Sequence, residues 1–140
     1  MNRFFSNAFY ILRVAAVFLV SSSISYADVK SFSMHRATTG GKVVEAFYGF
    51  NANPDCTLHA VPSIQILKAP VHGTTINKRE KVYPDYNPGT PKYKCNKVKI
   101  SGIVVYYKPE VGFKGTDYLE GRIIFDGGSV ANVKITIKVS

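Results

Sequence analysis

Apolar and polar positions alternate most strictly at the carboxyl end of this chain. Val133, Ile135, Ile137 and Val139 interleave with Asn132, Lys134, Thr136 and Lys138. A period of two puts one face of a strand in a core and the other in water. The stretch from Leu119 to Phe125 sets Leu119, Gly121, Ile123 and Phe125 against Glu120, Arg122 and Asp126, with Ile124 as the exception. Asp126-Gly127-Gly128-Ser129 between the two runs predicts a hairpin. Upstream, Val98 to Tyr107 reads as one strand, and Gly102 in its middle predicts a bulge or a bend. Lys42 to Phe50 is dense in β-branched and aromatic residues. Ser63 to Lys68 is shorter, bounded by Pro62 and Pro70, and Thr74-Thr75-Ile76 forms a brief extended run. The residues from Asp28 to Gly41 follow no period and predict a loosely held lead-in with at most a short strand. No helix of ordinary length is visible after the first 27 residues. Six or seven short strands separated by turns predict an all-β sandwich of two antiparallel sheets.

The first 27 residues break this pattern and follow another. Arg3 and Arg13 supply a positive start, Val14 to Val20 an apolar centre, and Ser25-Tyr26-Ala27 a small-x-small cleavage site. A membrane span needs about 20 apolar residues in a row. Arg13 on one side and Ser21-Ser22-Ser23 on the other leave far fewer. The division is therefore a signal peptide over 1–27 and one domain over 28–140, with no membrane span once the signal is removed. Export to the periplasm or the exterior follows. The formal charge falls from +9 to +7, because Arg3 and Arg13 leave with the signal. Such a charge favours anionic partners such as polysaccharide or lipid head groups. Nucleic acid is not expected as a partner outside the cytoplasm.

Export also decides how two cysteines are read. In an oxidising compartment Cys56 and Cys95, the only two in the chain, are expected to form a disulfide. Closing that loop stabilises the fold by about 4 kcal/mol in the chain-entropy model. A zinc site would need further ligands close by, and His35, His59 and His72 are scattered. No metal and no cofactor are expected.

Lys78 to Lys97 carries three prolines, one glycine and six Lys or Arg together with Tyr83, Tyr86 and Tyr93. So little apolar periodicity predicts a long surface loop, and a long loop in a compact domain is functional or mobile. A Cys56–Cys95 bridge would pin its base and lower the entropy lost on binding. The candidate binding residues are Lys78, Arg79, Lys81, Tyr83, Tyr86, Lys92, Tyr93 and Lys94: cations to meet negative charge, rings to stack on sugars or enter a protein groove. The competing reading is a solvated insertion kept soluble by lysine.

The stretch Tyr107-Lys-Pro-Glu-Val-Gly-Phe-Lys-Gly-Thr-Asp117 punctuates a turn with Pro109, Gly112, Gly115 and Asp117, while Tyr107 and Phe113 offer faces to bury. Together with Pro70-Val71-His72-Gly73-Thr74 it resembles, over Ala69 to Ser140, the signature of bacterial immunoglobulin-like and cadherin-like domains of exported proteins. That resemblance implies an immunoglobulin-like sandwich and a role in adhesion or display. Two departures stand out: Leu119 and Gly121 occupy places where those domains commonly carry aromatic residues, and no internal repeat is present. The calcium-ligand clusters of true cadherins are also missing. Within the motif, Asp117 is expected to accept hydrogen bonds from turn N–H groups as in an Asx-turn. Its replacement by Ala should then cost about 1–2 kcal/mol.

No Gly-x-Ser-x-Gly, His-Glu-x-x-His or phosphate-binding glycine loop occurs, and Glu45, Glu80, Glu110 and Glu120 cannot be paired from sequence. The expectation is a non-enzymatic binding or adhesion module of the bacterial envelope, its partner an unknown protein or an anionic or carbohydrate component. A periplasmic inhibitor of a secreted hydrolase and a structural subunit pairing by sheet edges are the alternatives. The sequence does not fix an oligomeric state. Amino-terminal sequencing of the exported protein should begin at Asp28; a start at Met1 would remove the signal reading.

Overall fold

The computed structural model describes residues 29–140; the predicted signal and its cleavage point lie outside them. Seven strands follow one another: β1 (Lys30–Thr38), β2 (Val44–Phe50), β3 (Ser63–Lys68), β4 (Gly73–Val82), β5 (Ile100–Pro109), β6 (Gly115–Ile124) and β7 (Val130–Val139). A short 3-10 turn, Tyr93–Lys97, precedes β5. The strands form a four-stranded sheet, β1-β7-β6-β3, and a three-stranded sheet, β2-β5-β4. If β2 to β7 are lettered B to G, the sheets are B-E-D and C-F-G, the strand order of an immunoglobulin-like sandwich. β1 lies along β7 rather than β2, and that pairing is parallel whereas all others are antiparallel.

The period-two reading places the core. β7 buries Ala131, Val133, Ile135, Ile137 and Val139, and β6 buries Asp117, Leu119, Gly121 and Ile123. From the facing sheet come Ala46, Phe47, Val105 and Tyr107. The Phe47 ring stands directly on Gly121, where a Cβ would collide with it. Gly121 is thus a socket in β6 that admits an aromatic ring of β2 from across the sandwich.

Three expectations need correction. The lead-in is not loose: β1 is a nine-residue strand. Its side chains are mostly exposed, so it lacks an apolar period, and backbone pairing to β7 in unbroken register holds it instead. Gly102 makes no bulge. It sits in register with Phe50 on one side and Glu80 on the other, and its missing Cβ lets the Gly49 carbonyl approach. The irregularities fall at Glu45/Phe47 and Ile66/Lys68. The stretch from Lys78 is loop only in part, because β4 runs on to Val82.

One end of the sandwich is closed by the corner that the two motifs build together. Asp117 is 2% exposed, and both its oxygens are occupied. Oδ1 accepts from the backbone N–H of Val71 (3.0 Å) and of Tyr118 (2.9 Å). Oδ2 accepts from the N–H of His72 (2.8 Å), with the Tyr107 hydroxyl 3.0 Å away. Val71 and His72 belong to the turn between β3 and β4, so this is a long-range anchor and not a local Asx-turn. The Tyr107 hydroxyl also lies 3.1 Å from the His72 carbonyl, which accepts from the Glu110 N–H as well (2.9 Å). The Tyr107 ring rests against Gly73, leaving no room for a Cβ there, and the His72 ring stacks on Phe113 with centroids 4.3 Å apart. Pro109 is fully buried, while Gly112 (φ 82°) and Gly115 (φ 145°) turn the chain through backbone angles that side chains resist.

Burial pushes the Asp117 carboxyl up, but the three N–H donors and the Tyr107 hydroxyl outweigh it and hold it below its ordinary value. Burial, and then the bond to Asp117, push the Tyr107 phenol up. A depressed acid contributes stability that is complete above its unfolded pKa, about 3.9, and is lost as pH falls through the folded value. A raised phenol does the reverse: its contribution is complete below about pH 10 and is lost above it. Asp117→Asn points a donor at donors and should cost roughly 3 kcal/mol at neutral pH. It should also flatten the acid limb of a Tm-against-pH profile below about pH 4. Tyr107→Phe should flatten the alkaline limb. A wild-type acid limb retained in Asp117→Asn would show that the carboxylate does not carry it.

Candidate functional site

Strand directions bring three connections to the end opposite the corner: 51–62 between β2 and β3, 83–99 between β4 and β5, and 125–129 between β6 and β7. In the lettering above these are the B–C, D–E and F–G connections. B–C and F–G lie at the end that antibody variable domains use for recognition.

The 51–62 connection is folded to present a cysteine. The Asn53 N–H donates to the Thr57 carbonyl (2.9 Å), and the Cys56 N–H donates to the Asn53 carbonyl (2.9 Å). Asp55 Oδ1 accepts from both the Thr57 hydroxyl (2.6 Å) and the Thr57 N–H (3.0 Å), bonds that lower its pKa. Cys56 sits at φ +69° inside this turn, a left-handed conformation that a side-chain-bearing residue adopts only when its surroundings hold it. There it bonds to Cys95, with a Cα–Cα distance of 5.2 Å.

Cys95 belongs to a second, smaller core with Ala52 and Ile100, flanked by Cys56 and Tyr86. Register locates it. Across the three-stranded sheet, Ile76, Tyr106 and Glu45 share one row, Lys78, Val104 and Tyr48 the next, and Glu80, Gly102 and Phe50 a third. These residues have the opposite parity to the core residues Phe47, Val105 and Tyr107, so they form the outer face, and Ile100 continues it. The 83–99 connection therefore folds back onto the outside of the sheet. Tyr86 packs edge-on against Phe50 (centroids 5.3 Å), and Phe50 stacks on Tyr48 (5.8 Å). The Asn96 side chain clamps the connection by bonding both the N–H and the carbonyl of Tyr86, each at 2.9 Å.

The residues predicted to bind a partner separate into three groups. Lys78 lies on the outer face with its ammonium 5.4 Å from the Tyr106 ring centroid, and Tyr106 donates its hydroxyl to Glu80 (2.8 Å), which raises the phenol's pKa. Arg79 and Lys81 point the other way, and with Leu58, Val61, Glu80 and Ser101 they line a cleft of about 390 Å³. Tyr83, Tyr86, Lys92, Tyr93 and Lys94 belong to the connection itself. There Tyr83 and Tyr93 are 55% and 49% exposed, whereas Tyr86 is largely occupied by packing. Lys92 lies over Tyr86 (5.7 Å), and Lys99, which sequence reasoning passed over, lies over Tyr83 (5.3 Å). Tyr48, Phe50, Tyr106 and Asn96 were passed over too. For Tyr48 and Tyr106 the signal was parity, since each alternates with a core residue along its strand.

Among the described residues no lysine or arginine forms an ion pair with a carboxylate; the two charge contacts are His59–Asp126 (3.5 Å) and His72–Glu110 (3.9 Å). From Lys78 to Lys99 seven Lys or Arg face only Glu80 and Asp85. Three of them, Lys78, Lys92 and Lys99, rest on aromatic faces, an arrangement that leaves their charge available to an external anion. No three of the described His, Cys, Asp and Glu residues converge as metal ligands, and no described helix is long and apolar enough to cross a membrane.

Removing the bridge with Cys56→Ser/Cys95→Ser should release a constraint worth about 4 kcal/mol. At this size that lowers Tm by roughly 15 °C or more. Amide exchange should quicken first in 83–99, leaving the corner protected; an unchanged Tm would mean that the second core holds this end without the bond.

No family model matches the chain, nor does any curated protein or solved structure.

Proposed function

We propose that this protein is an exported, non-enzymatic binding module of the bacterial cell envelope that contacts an acidic polysaccharide through the end formed by the 83–99 connection. The observation that carries this reading is the unpaired positive charge there. Lys92, Lys94, Lys97 and Lys99 project from a segment tied down by Cys95 and Asn96, and none has a carboxylate partner among the described residues. A segment already ordered loses little entropy on binding, so weak contacts add efficiently. Tyr83 and Tyr93 supply half-exposed rings for the apolar faces of sugars. Tyr86 serves instead to hold the segment on the sheet.

The double variant Tyr83→Ala/Tyr93→Ala should keep the wild-type Tm and weaken retention on immobilised polygalacturonate by about tenfold, two rings at roughly 0.7 kcal/mol each. Retention should also fall steeply with added salt. Tyr86→Ala should lower Tm. Retention of the double variant equal to wild type, or equal retention on neutral dextran, would overturn the proposal.

A further inference from the structure

We propose that the free edge of β4 accepts an extended acidic segment of another protein as a fourth strand of the three-stranded sheet. A sandwich of two open sheets has four edges, and an unblunted edge is a template for strand addition. Three are blunted. β3 has six residues, a register break at Ile66/Lys68 and a proline on either flank. β2 is broken by the irregularity at Glu45/Phe47. β1 is tied to that same irregularity, because Arg36 Nε donates to the Glu45 carbonyl (3.1 Å) across the gap between the sheets.

β4 carries none of these devices, and its one guard is charge, from Lys78, Arg79 and Lys81. It pairs with β5 in unbroken register from Gly73 to Val82, is hydrogen-bonded on that side alone, and is exposed along nearly its whole length. Its inward positions Thr75, Asn77, Arg79 and Lys81 are polar, so β4 adds no apolar side chain to the main core. Beside Arg79 and Lys81 the cleft exposes Val61 and Leu58, the latter 45% exposed. A strand laid along β4 would satisfy its outward N–H and carbonyl groups and cover this apolar floor.

Charge selects the occupant. Lys78, Arg79 and Lys81 have no carboxylate partners among the described residues, and the one acid in this run, Glu80, is engaged by the Tyr106 hydroxyl. Like charges placed opposite one another across strands are destabilising. A second copy pairing β4 to β4 would bring two such basic runs together, whereas a strand with Asp or Glu at alternate positions would set its acids on one face, beside Arg79 and Lys81.

The probe is a blocked ten-residue peptide alternating Glu and Val, titrated into the mature protein. Saturable 1:1 binding with slowed amide exchange confined to 73–82 is expected. Arg79→Glu/Lys81→Glu should weaken it at least tenfold, whereas Tyr83→Ala/Tyr93→Ala should leave it unchanged, which separates this surface from the polysaccharide contact. A peptide of equal charge with Pro in place of Val should bind at least tenfold more weakly, because half its N–H donors are gone and each proline's φ is fixed at about −65°, off the strand value. Equal affinity for the proline peptide, protection outside 73–82, absence of binding, or dimerisation of the wild-type protein through β4 would each overturn the proposal.

Discussion

The carboxylate of Asp117 is the constraint on which the rest of the sandwich depends. A charge in a dry interior is tolerated only when its oxygens are fully engaged. Here they are engaged from both sheets at once: β6 supplies the acid and the Tyr118 N–H, β5 the Tyr107 hydroxyl, and the turn that crosses from β3 to β4 two N–H groups. The demand propagates outward. Gly73 must lack a side chain so that the Tyr107 ring can lie against it and bring the hydroxyl to Asp117. The 110–114 turn must return the chain close enough for the Glu110 N–H to reach the His72 carbonyl. Two sequence motifs some thirty residues apart are one hydrogen-bonded object. This accounts for residue identities in both that local turn chemistry alone leaves unexplained.

The opposite end solves the same closing problem by other means. No buried carboxylate gathers its connections; a disulfide, a side-chain amide and a small apolar cluster do so. A covalent bond and neutral contacts keep their hold over a wide range of pH and salt, so the surface above them is free to carry unbalanced charge. At the corner, polar groups are spent on one another and little is left for a partner. At the loop end, cations lean on tyrosine faces and remain available. The two ends therefore differ in which groups each has left unsatisfied.

Where strands have one face in the core, the sequence was legible: β6 and β7 bury the residues that a period of two selects. β1 was not legible, because its stability comes from main-chain pairing with β7 and its side chains stay mostly in water. The far half of β4 was hidden for the same reason. Asn77 to Lys81 are charged or polar on both faces, which reads as loop until the partner strand is known. The bridge Cys56–Cys95 was legible by elimination, but the second core beneath it was not, since Ile100 and the neighbouring Phe50 look like continuations of the inner pattern until register shows that they face outward. Of the candidate contact residues, Tyr86 also packs on Phe50, a contact that carries no period: an aromatic in a polar stretch can be the anchor that fixes the stretch. Asn96 carried no signal at all, because a side chain that imitates a backbone bond leaves no period.

The cations of β4 illustrate how one feature can serve two ends. Lysine and arginine on an exposed edge keep copies of a protein from pairing, and on that ground alone their presence would need no partner. Such a guard works against like charge only. Nothing in Lys78, Arg79 or Lys81 obstructs the main-chain groups between them, and the register of β4 is unbroken where the other edges are bent, shortened or covered. A proline or a bulge would have closed this edge to every strand. Charge closes it to one sign and lowers the barrier to the other, so protection from self-association and selectivity for an acidic strand are the same physical fact seen with two different neighbours.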